Sequence, residues 1–298
     1  MGFLPLLRMK MPIALLRATA LELAILTAHM IVYPSGLIPE RRPAGPACGS
    51  PPPEHLEPHN PRGTSGFPGS PDSPGSPEPQ ALPTRSSQQP PAVLLHGFVD
   101  NRSVFVLLRR SLVRQGGCHV ESLNYSPLTC DIRTAAELLG RHVEEICART
   151  GRQRVDIVGH SLGGLIARYY VQRLGGDHRV RTLVTLGTPH AGTSVAPLAS
   201  AHPIVRQMRP GSAVIEELRL PAPGCRTRFV SFWSDLDQIM VPLETARLEH
   251  PDLIVRNVRV SGIGHLALPV HPAVAAGIRE ALDASGAEAD SSGAVSVA

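Results

Sequence analysis

One serine, two aspartates and one histidine could together carry out nucleophilic catalysis. Ser161 lies in the sequence GHSLG at residues 159–163, directly after an apolar run and before a segment with helical spacing. A G-x-S-x-G sequence at a strand-to-helix junction is typical of a nucleophile elbow, where the serine hydroxyl is presented on a sharp turn. The flanking glycines let strand and helix approach without a Cβ clash. An N-capping serine in a glycine-rich turn is the alternative interpretation.

A nucleophilic serine needs a histidine to take its proton and a carboxylate to orient that histidine. Two later apolar runs end at such residues: RFVSFWS is followed by Asp235 and Asp237, and LIVRNVRV is followed by His265. The carboxyl ends of parallel strands meet at one edge of a sheet, where α/β proteins place their sites. We therefore expect His265 and one of the two aspartates to lie beside Ser161. A polar turn histidine without a catalytic role is the alternative for His265.

The sequence also contains candidates for an oxyanion hole. The apolar run at residues 93–95 ends in His96-Gly97-Phe98. With a nucleophile elbow, one oxyanion donor is the N–H of the residue after the serine, here Leu162. The second comes from the loop after an earlier strand, for which the N–H of Phe98 is the candidate. An ordinary strand-ending turn is the alternative reading of this loop.

The elements that must position these residues alternate along residues 91–285. Short runs rich in Val, Ile and Leu are separated by segments with helical spacing. This alternation predicts β-α-β units, and hence a mostly parallel sheet of about six strands with helices on both faces. Residues 188–226 have no regular pattern. They are expected to form either a lid or cap over the site or a surface helix-loop.

The first 42 residues contain an apolar stretch at 18–33. As a helix it would be about 24 Å long, shorter than the ~30 Å apolar core of a bilayer, and it includes Glu22 and His29. Because basic residues precede it, we expect residues 1–42 to be a membrane anchor or signal anchor. A cleaved signal and a helix of the soluble fold are the alternatives.

Composition separates the remaining segments. Residues 43–90 are rich in Pro, Ser and Gly, and half of the chain's 30 prolines lie between Pro43 and Pro91. This composition predicts a disordered linker at residues 43–90, and residues 286–298 are predicted to form a disordered tail.

The charge pattern does not favour a nucleic-acid partner. Residues 91–285 carry 22 Lys/Arg and 17 Asp/Glu without a basic stripe interleaved with aromatics, so a nucleic-acid partner is not expected. No C-x-x-C sequence or histidine cluster indicates a metal site.

From residue 91 to about 284 the chain resembles the α/β-hydrolase superfamily, and within it bacterial lipases and esterases. The resemblance rests on LLHGF, VGHSLGGLIARYYVQRL, LVTLGTPHAGT and the later GIGH. GHSLGG together with TLGTPHAGT is typical of lipase-like members, including relatives that deacylate lipid anchors or thioesters. The sequence D-x-I-x-V-P resembles the acid turn of the superfamily, which favours Asp237 and leaves Asp235 as the alternative acid. His160 and His190 are interpreted as structural neighbours of the site.

The resemblance implies a minimal α/β-hydrolase fold with a Ser161–Asp237–His265 triad. It implies hydrolysis of lipid or small acyl esters through an acyl-enzyme on Ser161, without a cofactor. A thioesterase, phospholipase or acyltransferase with the same triad is the alternative, and a non-catalytic lipid-binding module of this fold is the remote one. Together with the N-terminal segment, this predicts a membrane-anchored or exported enzyme whose catalytic domain is extracytoplasmic.

Overall fold

The computed structural model describes residues 13–37, 89–116, 119–126, 131–195 and 202–292. The predicted linker at 43–90 lies outside these residues, apart from its last two positions.

A six-stranded sheet forms the centre of the described part of the chain, in the order β2-β1-β3-β4-β5-β6. Each of its five neighbouring pairs is parallel. The predicted fold class is therefore confirmed, with a sheet that is parallel throughout. The strands are β1 Ala92–Leu95, β2 Val120–Leu123, β3 Val155–His160, β4 Val180–Leu186, β5 Arg228–Ser234 and β6 Ile254–Val260.

Helices cover both faces of the sheet. The α-helices are α1 Ile13–Leu37, α2 Val106–Gly116, α3 Ile132–Thr150, α4 Leu162–Arg173, α5 Pro203–Gln207, α6 Ala213–Arg219 and α7 Pro272–Ser292. Short 3-10 helices lie at Arg102–Phe105, Gly176–His178 and Leu243–Ala246.

Two apolar cores lie on opposite faces, because successive strand residues point to opposite sides of a sheet. Val93 and Leu95 of β1 pack into the core that includes α3, α4, α5 and α6. Ala92 and Leu94 of the same strand pack into the core that includes α2 and α7. The central strands β1, β3 and β4 are thus buried on both sides, whereas the edge strand β6 is exposed or half-buried along its length.

Helix α3 shows how local sequence sets the bounds of an element. Asp131 precedes it and its carboxylate accepts a hydrogen bond from the backbone N–H of Thr134, as an N-cap does. Gly151 ends the helix in a left-handed conformation, with φ of 68°. Apolar residues at helical spacing between these ends are buried against the sheet.

Two predictions are corrected by the structure. Residues 188–226 are not irregular throughout, because α5 and α6 lie within them and bury Ile204, Val205, Val214, Ile215 and Leu218 in the core. The prediction of a disordered tail at 286–298 is wrong for residues 286–292, which belong to α7. Ala287, Glu288 and Ala289 favour this extension, because alanine and glutamate are good helix formers, although Gly286 is not.

Helix α1 is the predicted N-terminal apolar helix. Several of its apolar side chains are exposed, among them Leu16, Leu23 and Ile31. Ala18 is buried, and Ile25 packs at the edge of the core that holds α2 and α7. Of the helices in the described residues, none combines the length and the hydropathy needed to cross a bilayer.

Candidate active site

The turn that the sequence predicts as a nucleophile elbow lies between β3 and α4 and is strained. Ser161 follows the last residue of β3 and has φ of 52° and ψ of −117°. Residues other than glycine rarely adopt a positive φ, and such strain is typical of functional sites. A Cβ on Gly159 would lie 2.6 Å from the backbone nitrogen of Gly164, so only glycine fits where strand and helix meet. The G-x-S-x-G sequence therefore forms the turn that it predicts.

The end of the neighbouring strand β4 holds this turn in place. The backbone N–H of Ser161 donates to the carbonyl of Leu186, with a donor–acceptor distance of 2.9 Å. The hydroxyl of Thr188 donates to the carbonyl of Ser161 at 3.0 Å. Thr188 belongs to TLGTPHAGT, so this segment after β4 stabilises the Ser161 turn through a hydrogen bond. These two hydrogen bonds hold the Ser161 backbone in its strained conformation.

Asp237 and His265 form a buried pair at the same edge of the sheet. Asp237 Oδ2 lies 2.7 Å from His265 Nδ1, and the two residues are 2% and 5% exposed. Asp237 Oδ1 accepts hydrogen bonds from the backbone N–H groups of Ile239 and Met240, at 2.9 and 3.2 Å. The turn that follows Asp237 thus fixes the carboxylate, which in turn fixes the orientation of the imidazole.

Asp235, the alternative acid, is not brought to His265. Its carboxylate pairs with Arg259 at 2.9 Å and accepts a hydrogen bond from the backbone N–H of Gly262 at 3.2 Å. Partial burial alone would raise the pKa of Asp235, but these partners outweigh it and lower the pKa. Asp235 therefore ties the loop after β5 to the loop after β6.

The pKa of His265 is raised above its usual value. Burial by itself lowers the pKa, because it disfavours the charged imidazolium. The neighbouring carboxylates of Asp237, Asp100 and Glu22 outweigh burial and stabilise the imidazolium. A histidine in this setting suits a base that must hold a proton for part of a reaction.

Asp100 and His160 form a second buried pair, which the sequence did not predict. Asp100 Oδ2 lies 3.0 Å from His160 Nδ1. His160 Nε2 lies 3.3 Å from the carbonyl oxygen of His265. The two imidazole rings are 4.8 Å apart at their centroids. Since His160 directly precedes Ser161, this pair joins the Ser161 turn to the loop of His265, which agrees with the interpretation of His160 as a structural neighbour of the site.

The two predicted oxyanion donors lie on segments that adjoin Ser161. Leu162 is the first residue of α4, where backbone N–H groups have no partner within the helix. Phe98 follows Gly97, and a Cβ on Gly97 would lie 3.4 Å from the Cβ of Ser161. The loop after β1 therefore passes close to Ser161. The role of both N–H groups in binding an oxyanion stays a prediction.

Gly187 is a site residue that the sequence analysis missed. It follows β4 with φ of 53°, and a Cβ there would lie 2.9 Å from His265 Nδ1 and 3.0 Å from Asp237 Oδ2. Any side chain would strain the backbone and press on the aspartate–histidine pair. Its place after a strand of the parallel sheet, within TLGTPHAGT, was the signal that could have indicated it.

A buried arginine connects the site to the helices above it. Arg168 of α4 donates to the carbonyl of His190 at 3.0 Å and to that of Leu218, in α6, at 2.9 Å. Burial lowers the pKa of Arg168 to about 9. Burial also lowers the pKa of His190 well below its usual value, and its Nε2 lies 3.0 Å from the hydroxyl of Thr185. His190 is therefore a neutral part of the scaffold.

In the described part of the chain, no group of three or more His, Cys, Asp or Glu residues could hold a metal ion.

Comparison with known proteins finds similarity over part of the chain. The family model described as "Palmitoyl protein thioesterase" matches residues 91–218. A triacylglycerol lipase of Burkholderia plantarii is 29% identical over 123 residues, which are 39% of this chain and 34% of that protein. One of Vibrio cholerae is 32% identical over 133 residues, which are 43% of this chain and 39% of that protein. The chain thus matches about a third of the length of these relatives.

Solved structures agree with the fold. Aspergillus fumigatus lipase B aligns with a TM-score of 0.59 and 17% identity, over 69% of this chain and 55% of that one. The mature form of Bacillus licheniformis lipase BlEst2 aligns with a TM-score of 0.57 and 18% identity, over 69% of this chain and 96% of that one. At this identity the likeness shows the fold, and the predicted fold class agrees with it.

Proposed function

We propose that this chain, an α/β hydrolase similar to bacterial lipases and esterases, is a serine hydrolase that cleaves acyl esters through an acyl-enzyme on Ser161. The observation that carries the proposal is the buried Asp237–His265 pair, joined at 2.7 Å, at the sheet edge where the strained Ser161 turn lies. A strained serine, an oriented imidazole and a fixed carboxylate are the three parts that nucleophilic acyl transfer requires.

The first half of the reaction forms the acyl-enzyme. The hydroxyl oxygen of Ser161 attacks the acyl carbon while His265 Nε2 takes the hydroxyl proton. Negative charge then moves to the former carbonyl oxygen, where the N–H groups of Phe98 and Leu162 would stabilise it. Asp237 stabilises the imidazolium that forms. His265 returns the proton to the leaving alcohol as the ester bond breaks.

The second half regenerates the serine. A water molecule gives a proton to His265 and attacks the acyl carbon of the ester on Ser161. The second tetrahedral intermediate collapses, the Ser161 oxygen leaves with the proton from His265, and the carboxylic acid departs. These steps consume one ester and one water and need no cofactor or metal.

The match to a thioesterase family model favours a second candidate, hydrolysis of an acyl thioester. The same triad serves both reactions, because only the leaving group differs. The sequence identities to triacylglycerol lipases support the oxyester, and a lipid or a small acyl ester is the substrate class we propose. Phospholipase and acyltransferase activities share the acyl-enzyme and differ in the alcohol or the acceptor.

We further propose that the enzyme is membrane-anchored or exported, with its catalytic domain outside the cytoplasm. The apolar sequence of α1 supports this, because its exposed Leu16, Leu23, Met30 and Ile31 could contact lipid. Partition of the full chain between vesicles and buffer tests the membrane-anchored alternative, and a chain that stays in buffer at every lipid concentration would contradict anchoring by α1.

Rates on p-nitrophenyl esters and on the matching thioesters test the proposed activity. Ser161→Ala should lower kcat by at least about a thousandfold on either substrate, because the nucleophile is gone. Ser103→Ala is a matched control, since Ser103 is a buried serine whose hydroxyl has no hydrogen-bond partner in the described residues. The ratio of oxyester to thioester rates distinguishes the two candidates. Wild-type activity of Ser161→Ala would contradict the proposed acyl-enzyme on Ser161.

A further inference from the structure

Helix α1 contacts both loops that carry the proposed acid and base. Gln238 Nε2, next to Asp237, donates to the Thr19 hydroxyl at 3.3 Å. The backbone N–H groups of Leu266 and Ala267, which follow His265, donate to the two carboxylate oxygens of Glu22 at 2.9 and 3.0 Å. A glutamate more than two hundred residues away in sequence thus holds the turn that contains the catalytic histidine.

The turn is shaped to receive this glutamate. A Cβ on Gly264 would lie 2.5 Å from Glu22 Cδ and 2.6 Å from Glu22 Oε1. Gly264 is not among the positive-φ glycines, so its backbone is one that alanine can adopt. The absence of a side chain at this position therefore provides space for Glu22 rather than conformational freedom.

The docked face of α1 follows helical spacing. Ala18, Glu22 and Ile25 are four and three residues apart, which places them on one face of the helix. Ala18 is 1% exposed and Ile25 packs at the edge of the core that includes Ala267. Apolar contacts on both sides of Glu22 thus set the position of its carboxylate.

We propose that Glu22 is a positioning residue, which fixes the turn at residues 264–267 so that the imidazole of His265 faces Ser161. The inference rests on the proposed function, in which His265 is the base. Two hydrogen bonds from N–H groups to one carboxylate are charge-assisted and stronger than neutral ones. Because they involve the backbone directly after His265, loss of the carboxylate would let the turn and the ring move together.

The charge of Glu22 has a second effect on the same histidine. The ionisable groups that surround His265 are Asp237 after β5, Asp100 after β1, His160 at the end of β3, and Glu22 of α1. Removing the negative charge of Glu22 disfavours the imidazolium and lowers the pKa of His265. The acidic limb of the profile of kcat/KM against pH, which reports this group in the free enzyme, should then move to lower pH.

The experiment compares five forms of the full chain with wild type: Glu22→Ala, Glu22→Gln, Gly264→Ala, the Glu22→Ala/Gly264→Ala double variant, and Arg17→Gln. Glu22→Ala should lower kcat on a p-nitrophenyl ester by roughly 10- to 100-fold, the size expected when a catalytic group is misplaced. KM should change little. Glu22→Gln should lose less, because its amide oxygen can accept one of the two hydrogen bonds, and it should still shift the acidic limb downwards.

Gly264→Ala tests the same contact from the other side. Its methyl group would displace the Glu22 carboxylate, so it should reproduce the loss of Glu22→Ala. The double variant should then be no slower than Glu22→Ala alone, because both changes remove one interaction. Arg17 is an exposed charge on the same helix, and Arg17→Gln should leave kcat and the pH profile unchanged.

Three outcomes would overturn the inference. Wild-type kcat and pH profile in Glu22→Ala would do so, as would losses in Glu22→Ala and Gly264→Ala that multiply in the double variant. An unshifted acidic limb in Glu22→Gln would also contradict it, since misfolding lowers the active fraction without moving a pKa. Full activity of Ser161→Ala would instead refute the proposed function, so the two failures are distinguishable.

Discussion

Two buried aspartate–histidine pairs lie side by side at the carboxyl edge of the sheet. Asp237 and His265 are 2.7 Å apart, Asp100 and His160 are 3.0 Å apart, and the two rings are 4.8 Å from each other. All four side chains are almost fully buried. By residue type, distance and burial alone, either histidine could be taken for the base.

The second ring nitrogen separates the two pairs. His160 Nδ1 lies against Asp100, and its Nε2 lies against the carbonyl of His265, so both nitrogens have an oxygen partner. In His265, Nδ1 lies against the Asp237 carboxylate. Its Nε2, on the opposite edge of the ring, is the atom that would receive the serine proton. We infer that the Asp237 pair does the chemistry and that the Asp100 pair holds it in place. Pairing and burial therefore do not identify a base unless the second nitrogen is also considered.

The largest expected effect concerns the two carboxylates. Asp237→Asn should lower kcat by roughly a thousandfold to ten-thousandfold, because the imidazole is then held in the wrong tautomer and the imidazolium is not stabilised. Asp100→Asn should lower kcat by only about tenfold, since it acts through position. Steady-state hydrolysis of a p-nitrophenyl ester measures both. Asp235→Asn is the matched control, and its kcat should stay within about threefold of wild type. Equal losses of kcat in Asp237→Asn and Asp100→Asn would contradict the distinction between the two pairs.

The next effect concerns stability rather than rate. His160→Gln should lower the free energy of unfolding by about 1–3 kcal/mol, because glutamine cannot reproduce both hydrogen bonds of the buried ring, to the Asp100 carboxylate and to the His265 carbonyl. Asp235→Asn breaks a partly exposed ion pair with Arg259 and should cost at most about 1 kcal/mol. Urea unfolding followed by circular dichroism measures both. A His160→Gln variant as stable as wild type would show that the Asp100 pair does not support the site.

The smallest expected effect is a shift of the profile of kcat/KM against pH. Because the pKa of His265 is raised, the neutral base should form, and kcat/KM should rise, at a higher pH than for an ordinary histidine. Asp100 contributes to the raised pKa of His265, so Asp100→Asn should move the acidic limb to lower pH. If the acidic limb of the pH profile stays in place in Asp100→Asn while kcat falls, Asp100 acts only on the geometry of the site.

Much of the fold could be predicted because its signals are local. Short apolar runs and helical segments alternate, and the structure contains the six strands at the expected positions. The turn around Ser161 is equally local, since strand, glycines and helix follow one another in the sequence. Asp237 was favoured over Asp235 by its sequence context, and the structure joins Asp237 to His265.

Two contacts that the sequence did not predict join distant segments. Asp100 and His160 are 60 positions apart, and Glu22 and Leu266 are 244 positions apart. No periodicity or spacing links residues so far separated, and only the packing of different elements brings them together. In the sequence, Glu22 and His29 are ionisable residues within an apolar stretch; in the structure, the Glu22 carboxylate accepts two hydrogen bonds from the turn beside His265.

Labelling with a fluorophosphonate, read by intact mass and peptide mapping, tests the central claim most directly. The reagent reacts with serines that a neighbouring base has activated. We expect one adduct per chain, on Ser161, formed at least about a hundredfold more slowly in Asp237→Asn and at nearly the wild-type rate in Asp235→Asn. An unlabelled Ser161 in the folded wild-type chain, or equal labelling rates in the two aspartate variants, would contradict it.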